Sequence, residues 1–312
     1  MRHPIEMPAR HDGLAVDDRA DGTVCVEDLP SVSRVPTSGS PPVAPAIVFD
    51  RVSIAFDDQV VLRDISFSVP RGTMAILLGA SGAGKSVVLK LILGLLRPDS
   101  GAIYVGGQSI TSMTEPDLMR VRAGIGMLFQ EHALFDSLTV AENVGYRLYE
   151  ETAMPKDRVR ERVDEVLGFV GLRHYGARMP SELSGGERRR VAIARAMAAK
   201  PDILLFDDPT CGLDPITATT VDDEVVKLRD IEHVTSIVVT HQIRDAFYVA
   251  THEAVRQNGR VRISGIPVKE ATRARFLVLH EGRICFEGTA SDLQASRDAY
   301  LREFLFMTLP PW

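Results

Sequence analysis

No stretch of this sequence is long and apolar enough to cross a bilayer as a helix. The most apolar run, residues 87–96, is interrupted by Lys90 and reaches about half of the roughly 20 residues a span requires. If the protein works at a membrane, another chain supplies the span. Residues 1–10 also lack the apolar core of a secretory signal. Basic excess is missing as well: 36 Lys and Arg face 42 Asp and Glu, a net charge of -6, which argues against a nucleic-acid binder, whose footprint would be a basic face. The cluster Arg188-Arg189-Arg190 is therefore expected on the solvated face of a helix. Cysteine is scarce. Cys25, Cys211 and Cys285 have neither zinc spacing nor an even count, which suits a reducing compartment and predicts no disulfide. What is present is an ordinary globular composition, 312 residues with 45% hydrophobic and 25% charged, enough for a full core in one large domain or two.

The chain is organised around Gly79-Ala80-Ser81-Gly82-Ala83-Gly84-Lys85-Ser86. An apolar run at 74–78 precedes it and an apolar-periodic run at 87–96 follows, so the order is strand, glycine-rich loop, helix. Glycines let successive N–H groups turn onto phosphate oxygens, Lys85 can reach the β- and γ-phosphates, and the Ser86 hydroxyl can ligate Mg²⁺ at the positive end of the helix. This is the pattern of a nucleoside triphosphate site. Upstream, residues 1–45 carry no helix or strand period and are expected to be a disordered extension. Strand-like runs follow at 52–56 and 60–69. Phe56 is either a platform for an adenine ring or an aromatic at a strand edge.

Downstream, a turn at 98–101 leads to a short hairpin at 102–107, a helix at 115–122 and an apolar strand at 125–129 that delivers Gln130 to its carboxyl end. In an open α/β sheet that end faces the ligand crevice. Residues 131–180 then turn helical, with a threonine cap at Thr139 and apolar residues at Val159, Val163, Val166, Leu167 and Val170. Ser184 and Glu187 have capping-box spacing before a helix that runs through 191–199. That segment is either a well-capped helix or a second anion site, in which Ser184, Gly185 and Gly186 expose helix N–H groups to a phosphate. The run 203–206 lacks alternation, as a strand buried on both faces should, and delivers Asp207 and Asp208 to the crevice. Two carboxylates there suit one Mg²⁺ partner and one water-orienting base. A tight loop at 212–215, a helix at 217–230 and a strand at 236–240 follow, and the last closes on His241.

These pieces, in this order, resemble the ATP-binding subunits of ABC transporters from residue 46 to 312. The Gly79 to Ser86 loop resembles Walker A, Gln130 the Q-loop glutamine, Leu183-Ser184-Gly185-Gly186-Glu187 the ABC signature, Asp207 the Walker B aspartate, Asp214 the D-loop aspartate, His241 the H-loop histidine and Phe56 the A-loop aromatic. The resemblance implies a RecA-like P-loop NTPase core, α/β, with an antiparallel β-subdomain and an inserted helical subdomain at about 131–180. It also implies binding of ATP and Mg²⁺ in a head-to-tail dimer, with each nucleotide between the Walker A of one copy and the signature of the other. Gly79, Ser81, Gly82, Gly84, Lys85, Ser86 and Phe56 would hold the nucleotide from one side, and Ser184, Gly185, Gly186 and Asp214 from the other. Ser86, Gln130 and Asp207 would hold the metal, and Asp208, His241 and Gln130 would serve hydrolysis. Partners implied are a second copy and an integral membrane permease, with substrate-binding and small regulatory subunits beyond them. The location implied is peripheral, on the cytoplasmic face of the inner membrane.

Gly126-Met127-Leu128-Phe129-Gln130, Met179-Pro180-Ser181-Glu182-Leu183 and Asp214-Pro215-Ile216-Thr217 look most like the Mla/Mce lipid-transport ATPases, which implies lipid as the cargo. Two departures stand out. Asp208 occupies the position where the family usually has glutamate, so hydrolysis is expected to be slow. Residues 251–275 insert roughly twenty residues beyond the family's usual connection, and Asn258-Gly259 between alternating runs predicts a hairpin at about 253–264, either a partner contact or a local elaboration. Slow hydrolysis also suits a different class, a soluble ATP-switched clamp. A chain with one phosphate loop and one signature favours the transporter subunit, because soluble clamps of translation generally resemble two fused copies.

Overall fold

The computed structural model describes residues 44–57, 59–130, 133–257 and 259–306. All but the last two residues of the expected disordered stretch at 1–45 lie outside that range, as does Cys25. Three strands open the described chain: β1 (Ile47–Phe56), β2 (Gln59–Val69) and β3 (Met74–Leu78). The glycine-rich loop and α1 (Lys85–Ile92) follow, then β4 (Ser100–Val105), β5 (Gln108–Ser109), α2 (Glu115–Ala123) and β6 (Ile125–Leu128). Next come α3 (Val140–Glu151), α4 (Lys156–Phe169), α5 (Gly185–Ala198), β7 (Ile203–Asp207), α6 (Pro215–Asp230) and β8 (Thr235–Thr240). The chain continues through α7 (Ile243–Thr251), β9 (His252–Gln257), β10 (Arg260–Gly265), β11 (Ala274–His280), β12 (Arg283–Gly288), α8 (Ala290–Ala295) and α9 (Ala299–Phe306).

One sheet has the order β12-β11-β3-β8-β7-β6, parallel except for the edge strand β12. Its central strands β3, β7 and β8 are buried almost throughout, without alternation, because both faces are covered. Ile76, Leu78, Phe206, Val238 and Phe276 pack into a core shared with α3 to α8, while Leu77, Leu205, Ile237 and Leu277 pack into a second core shared with α1, α2 and the other sheet. That other sheet, β2-β1-β4-β5, is antiparallel and half-buried, so β2 alternates buried and exposed residues from Ile65 to Val69. α3 and α4, from the helical stretch 131–180, pack on α5.

Several boundaries differ from those the sequence pattern predicts. The helix expected over 87–96 begins at Lys85 and ends at Ile92, because Gly94 takes a left-handed φ of 62° and stops it. The strand expected over 125–129 ends at Leu128, and Phe129 turns out towards solvent. The helix expected from 217 starts two residues earlier, at Pro215, whose fixed φ suits a first helical position. Within residues 251–275, β9 and β10 form an antiparallel pair from His252↔Gly265 to Gln257↔Arg260. Asn258 at its tip lies outside the described residues. Asp230 anchors the hairpin: its Oδ2 accepts from the Ala254 N–H at 2.9 Å and its carboxylate is clasped by the buried Arg229 guanidinium.

Candidate functional site

Register places the expected crevice residues on one edge. Leu78 pairs with Thr240, Asp207 with Val239 and Leu128 with Phe206, so the chain leaves β3, β8, β7 and β6 at the same end of the sheet. Gly79, His241, Asp208 and Gln130 all lie just beyond those ends. Gly84 closes the loop at a φ of 99°, where a Cβ would come within 2.9 Å of Val61 Cγ1, so this position accepts only glycine without strain. Lys85 folds its ammonium back to donate to the carbonyls of Gly79 and Ala80, both at 2.9 Å. The next residue, Ser86, donates its hydroxyl to Asp207 Oδ1 at 3.1 Å. Beside the loop, Gly82 and Ala83 line a cleft of about 650 Å³ with Gln59, Val61 and Arg63. Phe56, at the end of β1, is 42% exposed.

Asp208 is the most constrained residue of the set. Its backbone sits at a φ of 50°, a left-handed conformation that aspartate enters more readily than most residues. Its N–H donates to the Val239 carbonyl at 2.8 Å, Oδ1 accepts from the Thr240 hydroxyl at 2.8 Å, and Oδ2 lies 2.7 Å from His241 Nδ1. Asp208 and His241 are therefore brought into direct contact. Thr240, which holds that contact, went unremarked in the sequence pattern, although a polar residue at the end of an apolar strand next to His241 is a signal.

The charges here are held at a cost. Burial pushes the Lys85 ammonium below the usual lysine range, with Asp208 and Asp207 opposing the shift. Burial also pushes Asp207 up, against the lowering effect of the Ser86 hydroxyl. A polyanion beside Lys85 and a hard cation beside Asp207 and Ser86 would each relieve that strain, so the residues present fit a nucleotide with its metal ion. Among the described residues no group of three or more His, Cys, Asp and Glu side chains is placed to hold a metal by itself. An ion here would need phosphate oxygens to complete its shell.

Ser184 caps α5, accepting from the Glu187 N–H at 3.3 Å, while Glu187 Oε2 accepts from the Ser184 N–H and hydroxyl, both at 2.8 Å. These bonds, the backbone one foremost, hold the Glu187 carboxyl below its usual range. Gly186 lets α5 approach α6: a Cβ there would lie 2.2 Å from Thr217 Cγ2. Asp214 caps α6, its Oδ1 accepting from the N–H groups of Ile216 and Thr217 at 3.1 Å each. The signature segment and Asp214 thus share one helix junction, away from the loop at Lys85 in sequence and reached through α5.

The expectation for the arginine cluster fails at Arg189. Only 1% of its surface is exposed, and its guanidinium donates to the carbonyls of Phe129 at 3.2 Å, Gln130 at 2.7 Å and Cys211 at 3.2 Å. Helical period gives the reason, since Arg189 shares the inward stripe of α5 with Gly186 and Ile193 at i-3 and i+4. Arg188 and Arg190 are half-buried and donate to the carbonyls of Leu183 and Val170. Gln130 itself is exposed, with Nε2 3.6 Å from Cys211 Sγ. Leu134 tucks against the core, whereas Phe135 stays exposed, tilted against Tyr146 at 4.7 Å between ring centroids.

The family model for ABC transporters matches residues 62–211, from β2 to the loop after Asp208. The chain is 36% identical over 254 residues to the intermembrane phospholipid transport system ATP-binding protein MlaF of Escherichia coli, covering 81% of this chain and 86% of that protein. This chain belongs to the ABC transporter family. As a member it carries the family's ATP-binding ATPase domain. It is also 42% identical over 224 residues to the sulfate/thiosulfate import ATP-binding protein CysA of Gloeobacter violaceus, covering 72% of this chain and 63% of that one. The chain thus spans less than two thirds of the length of that relative. Among solved structures, the dimeric cassette MJ0796 bound to ADP and Pi superposes with a TM-score of 0.64 at 28% identity, over 78% of this chain and 98% of that one.

Proposed function

We propose that this chain is the ATP-hydrolysing subunit of an ABC transporter, closing head to tail with a second copy around Mg-ATP and driving a separate membrane permease that moves lipid. The observation that carries the reading is the shared edge of the sheet, where Lys85, Ser86, Asp207, Asp208 and His241 converge within hydrogen-bonding reach of one another or of the loop carbonyls. Lys85 binds the β/γ-phosphates, exchanging its loop carbonyls for phosphate oxygens. Ser86, Asp207 and Gln130 would hold Mg²⁺, which when bound neutralises charge on those oxygens. Asp208 orients the attacking water and takes up its proton, and His241, fixed through Nδ1, presents its other ring nitrogen to the γ-phosphate. Phe56 stacks on the adenine. Ser184, Gly185, Gly186 and Asp214 face the nucleotide of the other copy.

Lipid as cargo is supported by the reach of the MlaF match, which covers more of both chains than the CysA match does. No described helix is long and apolar enough to cross a membrane, so a permease would supply the path. Two measurements test the reading. Lys85→Ala should abolish tight Mg-ATP binding, whereas Ser184→Arg should spare binding by the single copy and block closure of the dimer; equal loss of affinity in both would contradict the shared site. Copurification from detergent-solubilised membranes, with identification of attached proteins and lipids, should recover an integral permease. Recovery of no membrane protein would favour the soluble clamp instead.

A further inference from the structure

Among the described residues the buried guanidinium of Arg189 has no ion pair with a carboxylate. It spends its donors on three backbone carbonyls from two separate loops, and its Nε finds no acceptor among the described residues. Burying a charge in this way is costly unless the geometry is needed, and a hydrophobic residue of similar volume would fill the space at less expense. Two of the carbonyls belong to Phe129 and Gln130, on the segment leaving β6. The third belongs to Cys211, three residues past Asp208 and three before Asp214. Arg189 itself stands five residues into the helix capped by Ser184. Only a planar fork with several donors can bridge both loops from one helix position; an ammonium on a lysine stem is a single point.

We propose that Arg189 is a positioning residue for ATP hydrolysis: it sets the Gln130 segment and the loop after Asp208 in register with the N-terminal end of α5. This rests on the reading of Gln130 as a nucleotide-site residue. None of its hydrogen bonds reaches residues 79–86, so nucleotide capture by the phosphate loop is independent of it. Without the fork, the carbonyls of Phe129 and Gln130 each lose a donor, and the Gln130 side chain, exposed and with its contact to Cys211 at 3.6 Å, loses its fixed origin. Displacement on the scale of 1 Å at a reacting centre costs on the order of 10²-fold.

The test uses the full chain with Arg189→Met, which keeps length without donors, and Arg189→Lys, which keeps a donor at the end of a similar stem but cannot span both loops. Phosphate release, Mg-ATP affinity and thermal midpoint are measured for each, alone and combined with Gln130→Ala. The expected result is a fall in kcat of about 10²-fold for the methionine variant and about tenfold for the lysine variant, with nucleotide affinity within about twofold of the parent. Gln130→Ala should lower kcat in the parent and add little in either Arg189 variant, the non-additivity of residues that act through one another. A lowered thermal midpoint with parental kcat would make Arg189 a structural strut and overturn the proposal, as would full additivity with Gln130→Ala. If Gln130→Ala leaves the parent's kcat unchanged, the reading of Gln130 fails and the proposal falls with it; if it lowers kcat while both Arg189 variants match the parent, only the proposal fails.

Discussion

Replacing Asp208 by glutamate and by asparagine separates what its charge does from what its length does. The carboxylate is tied to the tip of β8 on both oxygens, by Thr240 at 2.8 Å and His241 at 2.7 Å, and its N–H is fixed to Val239 at 2.8 Å. Asparagine tolerates the left-handed backbone at φ 50° and keeps the acceptor for Thr240, so the variant should fold, bind ATP and close. It cannot take a proton, and losing a positioned acid or base typically costs 10²- to 10⁴-fold. Glutamate restores the family's reach, extending the carboxylate by roughly 1 to 1.5 Å, and misplacement on that scale is worth up to about 10²-fold in rate. It must also hold a longer side chain at positive φ, at a cost of roughly 1 kcal/mol in stability. Phosphate release at saturating Mg-ATP, with urea unfolding in parallel, should therefore rank Asp208→Glu above the parent in rate but below it in stability, with Asp208→Asn close to inactive. A parent already as fast as a relative with glutamate, and slowed by Asp208→Glu, would mean that Thr240 and His241 have re-formed the site around the shorter acid. Equal rates in all three would reduce Asp208 to a cap on β7.

Other perturbations test the scaffold. Asp222 is buried, with one oxygen lacking a partner among the described residues, and burial together with the nearby Asp245 pushes its pKa up to about 9. The folded state holds a proton there that the unfolded state releases near pH 4, so stability is lost as pH rises from about 4 towards 9, and Asp222→Asn should add on the order of 2 to 4 kcal/mol at pH 8 and flatten the slope. An unchanged slope between pH 6 and 8 would show that Asp222 is solvated in solution. Gly186→Ala should cost about 1 to 3 kcal/mol by forcing α5 from Thr217, read as a lower urea midpoint, and a loss below about 0.5 kcal/mol would mean that the junction yields freely. Shortening the β9–β10 hairpin by removing its tip, residues 256–261, while keeping Ala254 should leave ATPase activity intact, because the hairpin precedes the opposite end of β11 from the phosphate loop; a dead enzyme would contradict that placement.

What the sequence made legible was whatever repeats at short range. The loop from Gly79 to Ser86, the unalternating run into Asp207 and the Ser184 and Glu187 capping box are local patterns, and the structure places each of them on the element that local pattern implies. Helix and strand ends were read less well where one residue's φ decides them, as at Gly94, or where the chain turns outward, as at Phe129. At Arg189 charge and period disagree: the charge says solvent, the stripe through Gly186 and Ile193 says inward, and the distant carbonyls of residues 129, 130 and 211 offset the cost of burial. Thr240 depends likewise on a partner 32 residues away. Local pattern marks such residues as buried or as facing the crevice, but the partner they meet there, far away in sequence, has no local signature.

The same long-range contacts explain why the β9–β10 hairpin can sit in this fold away from the crevice. The parallel sheet has two ends, and β3, β6, β7 and β8 all spend their carboxyl ends on the crevice. The hairpin enters between α7 and the amino end of β11, where Ala274 pairs with Met74. There it is fastened by Arg229 and Asp230 at the far end of α6, the helix whose near end is capped by Asp214. Arg229 donates further to the carbonyls of Val249 and His252, both at 2.6 Å, so α6 is bonded directly to the hairpin's root. An element rooted in this way adds surface at one pole while leaving the register that aligns Lys85, Asp208 and His241 at the other undisturbed, because no residue of β9 or β10 pairs with the six-stranded sheet.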